Sequence, residues 1–250
     1  MKPEQELMLK TADDALILGH RNSEWTGLGP ILEEDISFSS MAQDKIGHAL
    51  AIYKILHNEF GMDVPDKLGF EREIKSMKCC HFTELPTEDY AFALIRHFLF
   101  DHASFLRFNA LENSSNESLA NLSRKVRGEL KYHVMHANVW INQLGNGNED
   151  SNSRLQKALD FSMPYALGIF EESPMENELI EKNIFVGEKA LKEKWISLIS
   201  NEIEKAGLKM PELDKLNPVM GGRNGYHTDD LAKLMTEMTE VFKTDVNAEW

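Results

Sequence analysis

The sequence predicts an all-α protein, a ferritin-like four-helix bundle with a long crossover and additional C-terminal helices. Three observations predict it. Apolar residues recur at alternating spacings of three and four along most of the chain, which marks one buried face of a helix. The first four such stretches form two hairpins with short joints, separated by a long mixed segment from Met62 to Pro86. That crossover is what separates a ferritin-like bundle from a simple up-down one. Within these stretches acids and histidines stand in line with apolar residues, where an unpaired charge costs several kcal/mol, so they need partners.

The first helix is expected from Pro3 to about Glu24, with proline near its start, where a missing N–H costs nothing. Leu9, Asp13, Leu16 and His20 share one of its faces. Trp25-Thr-Gly-Leu-Gly-Pro30 breaks it, and Pro30 can begin the second helix, which runs to about Phe60 and stops at Gly61. Met41, Asp44, His48, Ala51 and Ile55 line up along that helix. By distance from the turn, Asp44 is level with Asp13 and Asp14, and the sequence leaves open which of the two points inward.

The crossover carries Pro65, Gly69 and Pro86, with a short helix expected around Arg72 to Cys80. The third helix, Asp89 to Leu111, has a lone aspartate, Asp101, in a seam of Leu94, Phe98, Phe105 and Phe108. A short polar linker, Asn113 to Asn116, makes the fourth helix its antiparallel neighbour. That helix, Ser118 to Leu144, aligns Leu119, Leu122, Val126, Glu129, His133, His136 and Trp140. Asp101 and Glu129 lie nearly equally far from the linker and so at one level.

Beyond it, Leu144-Gly-Asn-Gly-Asn148 reads as a turn with glycine where a positive φ is expected. A fifth helix follows from about Ser151, interrupted near Pro164, and then short pieces around Pro174. Val186 to Ala206 reads as an amphipathic helix with Leu191, Trp195, Leu198, Ile199 and Ile203 inward. Pro211 to Tyr226 is a loop, and Thr228 caps a last helix with Asp229 and Asp230 in its first turn. The chain reads as one domain over 1–250, with a core bundle of about 3–145 and a C-terminal helical extension of about 150–250.

A net charge of −14 argues against nucleic acid, which needs a basic footprint. Apolar content of 42% with 27% charged residues is that of a globular protein, and no run is long and apolar enough for a membrane span. No signal-peptide pattern opens the chain, so a cytoplasmic location is expected. Cys79 and Cys80 are adjacent, which suits neither an ordinary disulfide nor a four-ligand zinc site; they read as reduced structural thiols.

A bundle with one inward carboxylate on each of two helices and a Glu-x-x-His pair on each of the others is the di-iron carboxylate arrangement. The four helices offer Asp13 or Asp14, Asp44 with His48, Asp101, and Glu129 with His133. The topology fits, but the ligand chemistry does not: Gly47 and Tyr132 stand where the paired histidines belong, and the histidines come one residue later. The expectation is a degenerate polar cluster of Asp14, Asp44, His48, Asp101, Glu129 and His133, without metal, cofactor or catalytic residues. Its members would hydrogen-bond to one another, with a lysine or arginine supplying positive charge. His97, His102 and His136 read as satisfied helix residues rather than ligands. The rival is an autonomous di-metal carboxylate oxidase built on Asp44, His48, Asp101, Glu129 and His133. Iron storage is weaker, because storage cages use shorter four-helix chains.

Several motifs carry a resemblance. Ala15-Leu-Ile-Leu-Gly-His-Arg21, Ser23-Glu-Trp25, Leu32-Glu-Glu-Asp-Ile36, Lys131-Tyr-His133, Leu144-Gly-Asn-Gly147 and Gly221-Gly-Arg-Asn-Gly-Tyr-His-Thr228 are similar to those of the C-subunit family of bacterial ring-1,2-phenylacetyl-CoA epoxidases. The resemblance extends from the first helix to Trp250, departing at His48, where glutamine is common, and at Asp229-Asp230, where Thr-Glu is usual. It implies a subunit of a multicomponent monooxygenase of aerobic phenylacetate degradation. A related A subunit would hold the di-iron centre and bind phenylacetyl-CoA. The C subunit would be its metal-free, non-catalytic structural partner, alongside a B subunit and a reductase carrying flavin and an iron–sulfur centre. A homo-oligomer is a further possibility for the isolated chain. Leu28, Pro30 and the segments around Trp195 and Met235 are candidate contacts.

Overall fold

In a computed structural model of the protein, residues 1–245 are described; the end of the expected C-terminal extension, 246–250, lies outside them. In chain order the helices are α1 (Pro3–Ser23), α2 (Leu32–Phe60), α3 (His81–Glu84), α4 (Tyr90–Leu111), α5 (Glu117–Gly145), α6 (Glu149–Leu167), α7 (Glu176–Glu181), α8 (Glu188–Lys205), α9 (Asp229–Met238) and α10 (Glu240–Thr244). The fold of the described residues is all-α, in keeping with a ferritin-like helical bundle. No helix among them is long and apolar enough to cross a membrane.

The chain divides into two compact units, one of residues 1–86 with 221–250 and one of residues 87–220. α6 and α8 rest on α4 and α5, inside the second unit, while the C-terminal segment belongs to the first.

In the first unit α1 packs along α2. The two backbones approach closely at Gly19, where a Cβ would lie 2.9 Å from Ile46 Cγ1 and 3.2 Å from the Ala42 carbonyl. Pro30 does not begin α2. Ile31 is still extended, and its carbonyl accepts from Glu34 N and Asp35 N, while Asp35 Oδ1 takes the Gly29 N–H at 2.6 Å. Gly61 closes α2 in the left-handed conformation (φ 65°), as expected. The short helix expected at Arg72–Cys80 is instead a π turn at Lys67–Glu71, a 3₁₀ turn at Ile74–Ser76 and then α3. α9 lies over this crossover, burying Leu231, Leu234 and Met235 with Ile17, Met77 and Cys79.

In the second unit α4 and α5 are capped by Asp89 and Asn116, whose side chains accept from Phe92 N and Leu119 N. α6 runs without interruption through Pro164. The bond that proline cannot make would go to the carbonyl of Asp160, an exposed residue, where solvent can take the place of the missing donor. Gly145 and Gly147 do not take the expected positive φ. Gly145 is needed for close approach, since a Cβ there would sit 2.2 Å from the Ala206 carbonyl oxygen. On α8, Leu191, Trp195, Ile199 and Ile203 are buried, and Trp195 Nε1 donates to Leu99 O at 2.9 Å. Leu198 is only half-buried. Trp195 at 0% and Met235 at 6% exposure are core residues and not surface contacts, whereas Leu28 at 70% is exposed.

Candidate functional site

The acids read from the sequence fall in both units. In the first unit, Asp13 and Asp14 are both buried, and neither is shared with a histidine among its hydrogen bonds. Asp13 accepts from Tyr53 Oη at 2.6 Å and from Lys78 N at 2.6 Å, and Arg72 closes an ion pair on it. Burial opposes the Arg72 charge, but the Asp13 carboxylate and Tyr53 outweigh it and hold the guanidinium more firmly protonated than usual. Burial, reinforced by Asp13, pushes the Tyr53 hydroxyl well above its ordinary range. Asp14 accepts from Cys80 N at 2.8 Å and from Arg223 at 2.7 Å. Asp14 therefore belongs to the crossover and the C-terminal segment rather than to the acid–histidine cluster expected of it.

Arg223 reaches this position because its segment is laid against the crossover. Gly221 and Gly225 have φ of 120° and 83°, and Cβ atoms on Gly222 and Gly225 would fall 2.3 Å from Cys79 O and 2.2 Å from Lys75 O. Besides Asp14, Arg223 donates to Lys78 O at 2.7 Å and Lys10 O at 3.3 Å, and Lys78 Nζ donates back to Arg223 O at 2.8 Å. The same segment supplies His227 and Thr228. Thr228 stands at the start of α9, but its hydroxyl donates to Glu84 Oε2 at 2.7 Å instead of capping the helix. Burial raises the Glu84 pKa, but donors from His227 and Thr228 outweigh it and leave the carboxyl below its usual value. Arg21 completes the joint, donating to Glu84 O at 2.6 Å and to Asp230 O at 3.3 Å.

On α2, His48 is buried and Asp44 half-buried, whereas Gly47, at the position a paired histidine would take, is exposed. In the second unit, Asp101 and His133 come together, Oδ2 to Nδ1 at 3.7 Å, and both are fully buried. The closer partner of Asp101 is His97, at 2.5 Å and one turn earlier on the same helix. His97 Nε2 lies 3.2 Å from His136 Nδ1. His97 and His136, read from the sequence as satisfied helix residues, are thus members of the cluster itself. His102 faces another way, to Asn138 Oδ1 at 2.8 Å. Glu129 is half-buried, and Tyr132, one residue before His133, is 45% exposed.

A di-metal carboxylate centre needs first-helix carboxylate lone pairs and imidazoles three residues after the paired acids. Here the first-helix acids are saturated by guanidinium, hydroxyl and backbone N–H donors, and the two i+3 positions hold exposed Gly47 and Tyr132. The donor set does not fit that centre.

Sequence patterns missed Arg72, Tyr53, Glu84, Arg223 and His227 as parts of these networks. The Gly-Gly-Arg-Asn-Gly run was the one available signal for a backbone pressed against another segment.

A model of the family described as phenylacetic acid catabolic protein matches residues 2–250. The C subunit of 1,2-phenylacetyl-CoA epoxidase from Escherichia coli (strain K12) is 26% identical over 242 residues, covering 97% of each chain.

Proposed function

Because the chain belongs to the phenylacetic acid catabolic protein family, we propose that it is the non-catalytic structural subunit of a 1,2-phenylacetyl-CoA epoxidase. In this reading it pairs with a homologous A subunit that carries the di-iron centre, beside a B subunit and a flavin and iron–sulfur reductase, in the cytoplasm. In this reading the chain itself holds no redox cofactor.

One observation carries the reading: both first-helix aspartates are locked to arginines, Asp13 to Arg72 and Asp14 to Arg223. A guanidinium is permanently charged and occupies the place beside the carboxylate that a metal cation would need. The second-unit acid, Asp101, is likewise engaged by imidazoles of its own and the neighbouring helix. Chemistry at an oxygen-activating centre depends on ligands held in fixed geometry with positions open for reactants. This arrangement uses its acids for cohesion instead.

Association is supported by apolar surface. Leu28, Ile31, Leu32 and Ile36, exposed at 70%, 45%, 69% and 60%, cluster at the start of α2. Tyr132, Met135 and Val139 form an exposed stripe on α5, at 45%, 56% and 55%. Exposed apolar residues gathered in this way mark surfaces that meet a partner.

The test is reconstitution. Purified chain, reductase, phenylacetyl-CoA and oxygen are combined with and without the A subunit, and iron is measured in each chain. Epoxide formed only when the A subunit is present, with iron confined to that subunit, is the expected outcome. Epoxide formed without it overturns the assignment and favours the di-metal oxidase.

A further inference from the structure

We propose that Cys79, Glu84 and His227 form a binding site for a zinc-class dication, which joins the crossover to the C-terminal segment within the first unit. The three ligand atoms lie within 4.8 Å of one another. Cys79 Sγ is 3.8 Å from Glu84 Oε1 and 4.0 Å from His227 Nδ1, and Nδ1 is 2.7 Å from Oε1. Zinc bonds sulfur at about 2.3 Å and nitrogen or oxygen at about 2.0–2.2 Å, so a tetrahedral ion places sulfur about 3.5 Å from its neighbours. The sulfur is within about half an ångström of that distance from both other ligands, and Nδ1 and Oε1 need to part by about 0.6–0.9 Å.

The surroundings of the ligands point the same way. A metal-binding histidine gives its remote N–H to a carbonyl or carboxylate, and a ligating carboxylate is itself hydrogen-bonded. His227 Nε2 lies 3.0 Å from Met77 O, which can only accept, so one proton sits on Nε2 and Nδ1 faces Glu84 across the hydrogen bond that an ion would replace. Glu84 Oε2 accepts from Thr228 N at 2.8 Å and from its hydroxyl at 2.7 Å, leaving Oε1 turned toward His227 and Cys79. The side chains of His227 and Glu84 are 2% and 0% exposed, and Cys79 is 0% exposed, so water competes little for the ion.

Charge balance allows the exchange in a buried place. The 2.7 Å hydrogen bond between His227 Nδ1 and Glu84 Oε1 holds one proton between them, and the Cys79 thiol holds another. An incoming dication displaces these two protons, M²⁺ + (site)H₂ → (site)M + 2H⁺, so the net charge of the buried group is unchanged and no oxidant or reductant is required. Burial and the nearby Glu84, Asp13 and Asp14 carboxylates raise the Cys79 thiol well above its ordinary range. The thiol stays protonated until a cation arrives.

The experiment uses the full chain, stripped with a chelator and titrated with Co²⁺ and then Zn²⁺. One equivalent of Co²⁺ should give a thiolate-to-cobalt charge-transfer band that zinc abolishes, with about two protons released per ion and a higher thermal midpoint. The intensity of the cobalt d–d bands reports the coordination number. Cys79→Ser should remove the charge-transfer band and Cys80→Ser should keep it. A folded wild-type chain showing no thiolate band overturns the proposal without reference to any variant. A band that survives in Cys79→Ser, or is lost only in Cys80→Ser, overturns it as well.

Discussion

The two units neutralise the same kind of seam aspartate by different means. In the first, Asp13 and Asp14 meet Arg72 and Arg223, cations that keep their charge at any pH a protein survives. In the second, Asp101 meets His97 and His133, and His97 passes contact on to His136. A guanidinium is a permanent counter-ion, whereas an imidazole can release its proton near neutrality. The first unit is thus held by fixed charge that links segments far apart in sequence. In the second, the Asp101 cluster is carried on two adjacent helices, α4 and α5, while a separate fixed pair, Arg107 with Glu188, ties α4 to α8.

The largest effect should come from breaking a fixed pair. Arg223→Ala leaves Asp14 buried with only the Cys80 N–H, and strips a donor from the Lys10 and Lys78 carbonyls. Removing one partner of a buried pair costs about 3–5 kcal/mol. Urea unfolding measures the loss, and adding Asp14→Asn to Arg223→Ala should recover part of it. A double variant no more stable than Arg223→Ala would show that the charge pair is not what holds this joint.

Asp101→Asn should cost less, about 1–3 kcal/mol, the range for hydrogen-bond partners left unmatched. Removing this carboxylate takes an acceptor from His97 and His133 but strands no carboxylate in the interior, unlike Arg223→Ala. The comparison breaks if denaturant curves show Asp101→Asn to be the more damaging of the two.

The contrast also explains what the sequence disclosed. The contact of Asp101 with His133 was legible because helix periodicity sets both on seams, and the short Asn113–Asn116 linker makes their helices neighbours. Even there, the spacing of His97 and Asp101 one turn apart already contained the closest contact, and His97 read only as a bystander. The arginine clamps were not legible. Arg72 and Arg223 lie in irregular backbone, where no period relates a side chain to a face, and their partners are 59 and 209 residues away. Glycines at 221, 222 and 225 signalled a tight path without naming the segment it follows. Pro164 misled in the opposite direction, since a proline ends a helix only where the bond it forfeits cannot be replaced.

The smallest effect concerns pH and sharpens the comparison at a single histidine in each unit. His102, in the second unit, donates from Nε2 to Asn138 Oδ1, and its buried Nδ1 has no hydrogen-bond partner among the described residues. A second proton there would be buried unmatched, and burial accordingly lowers the His102 pKa below 6.5 despite the opposing hydrogen bond from Asn138. The unfolded chain then takes up its proton first as pH falls. The stabilising contribution is complete above the unfolded value, declines below about pH 6.5 and is lost as pH passes through the lower folded value. The slope from one such group cannot exceed about 1.4 kcal/mol per pH unit. His20, in the first unit, is lowered by burial against an opposing pull from Glu237, so it contributes with the same sign. Amide exchange separates the two. His102→Gln, which can still donate to Asn138, should flatten the acid-side loss of protection in α4 while leaving α1 unchanged. His20→Gln should do the reverse. If both variants flatten both helices equally, local unfolding is not confined to either unit, and the two charge networks share one cooperative transition.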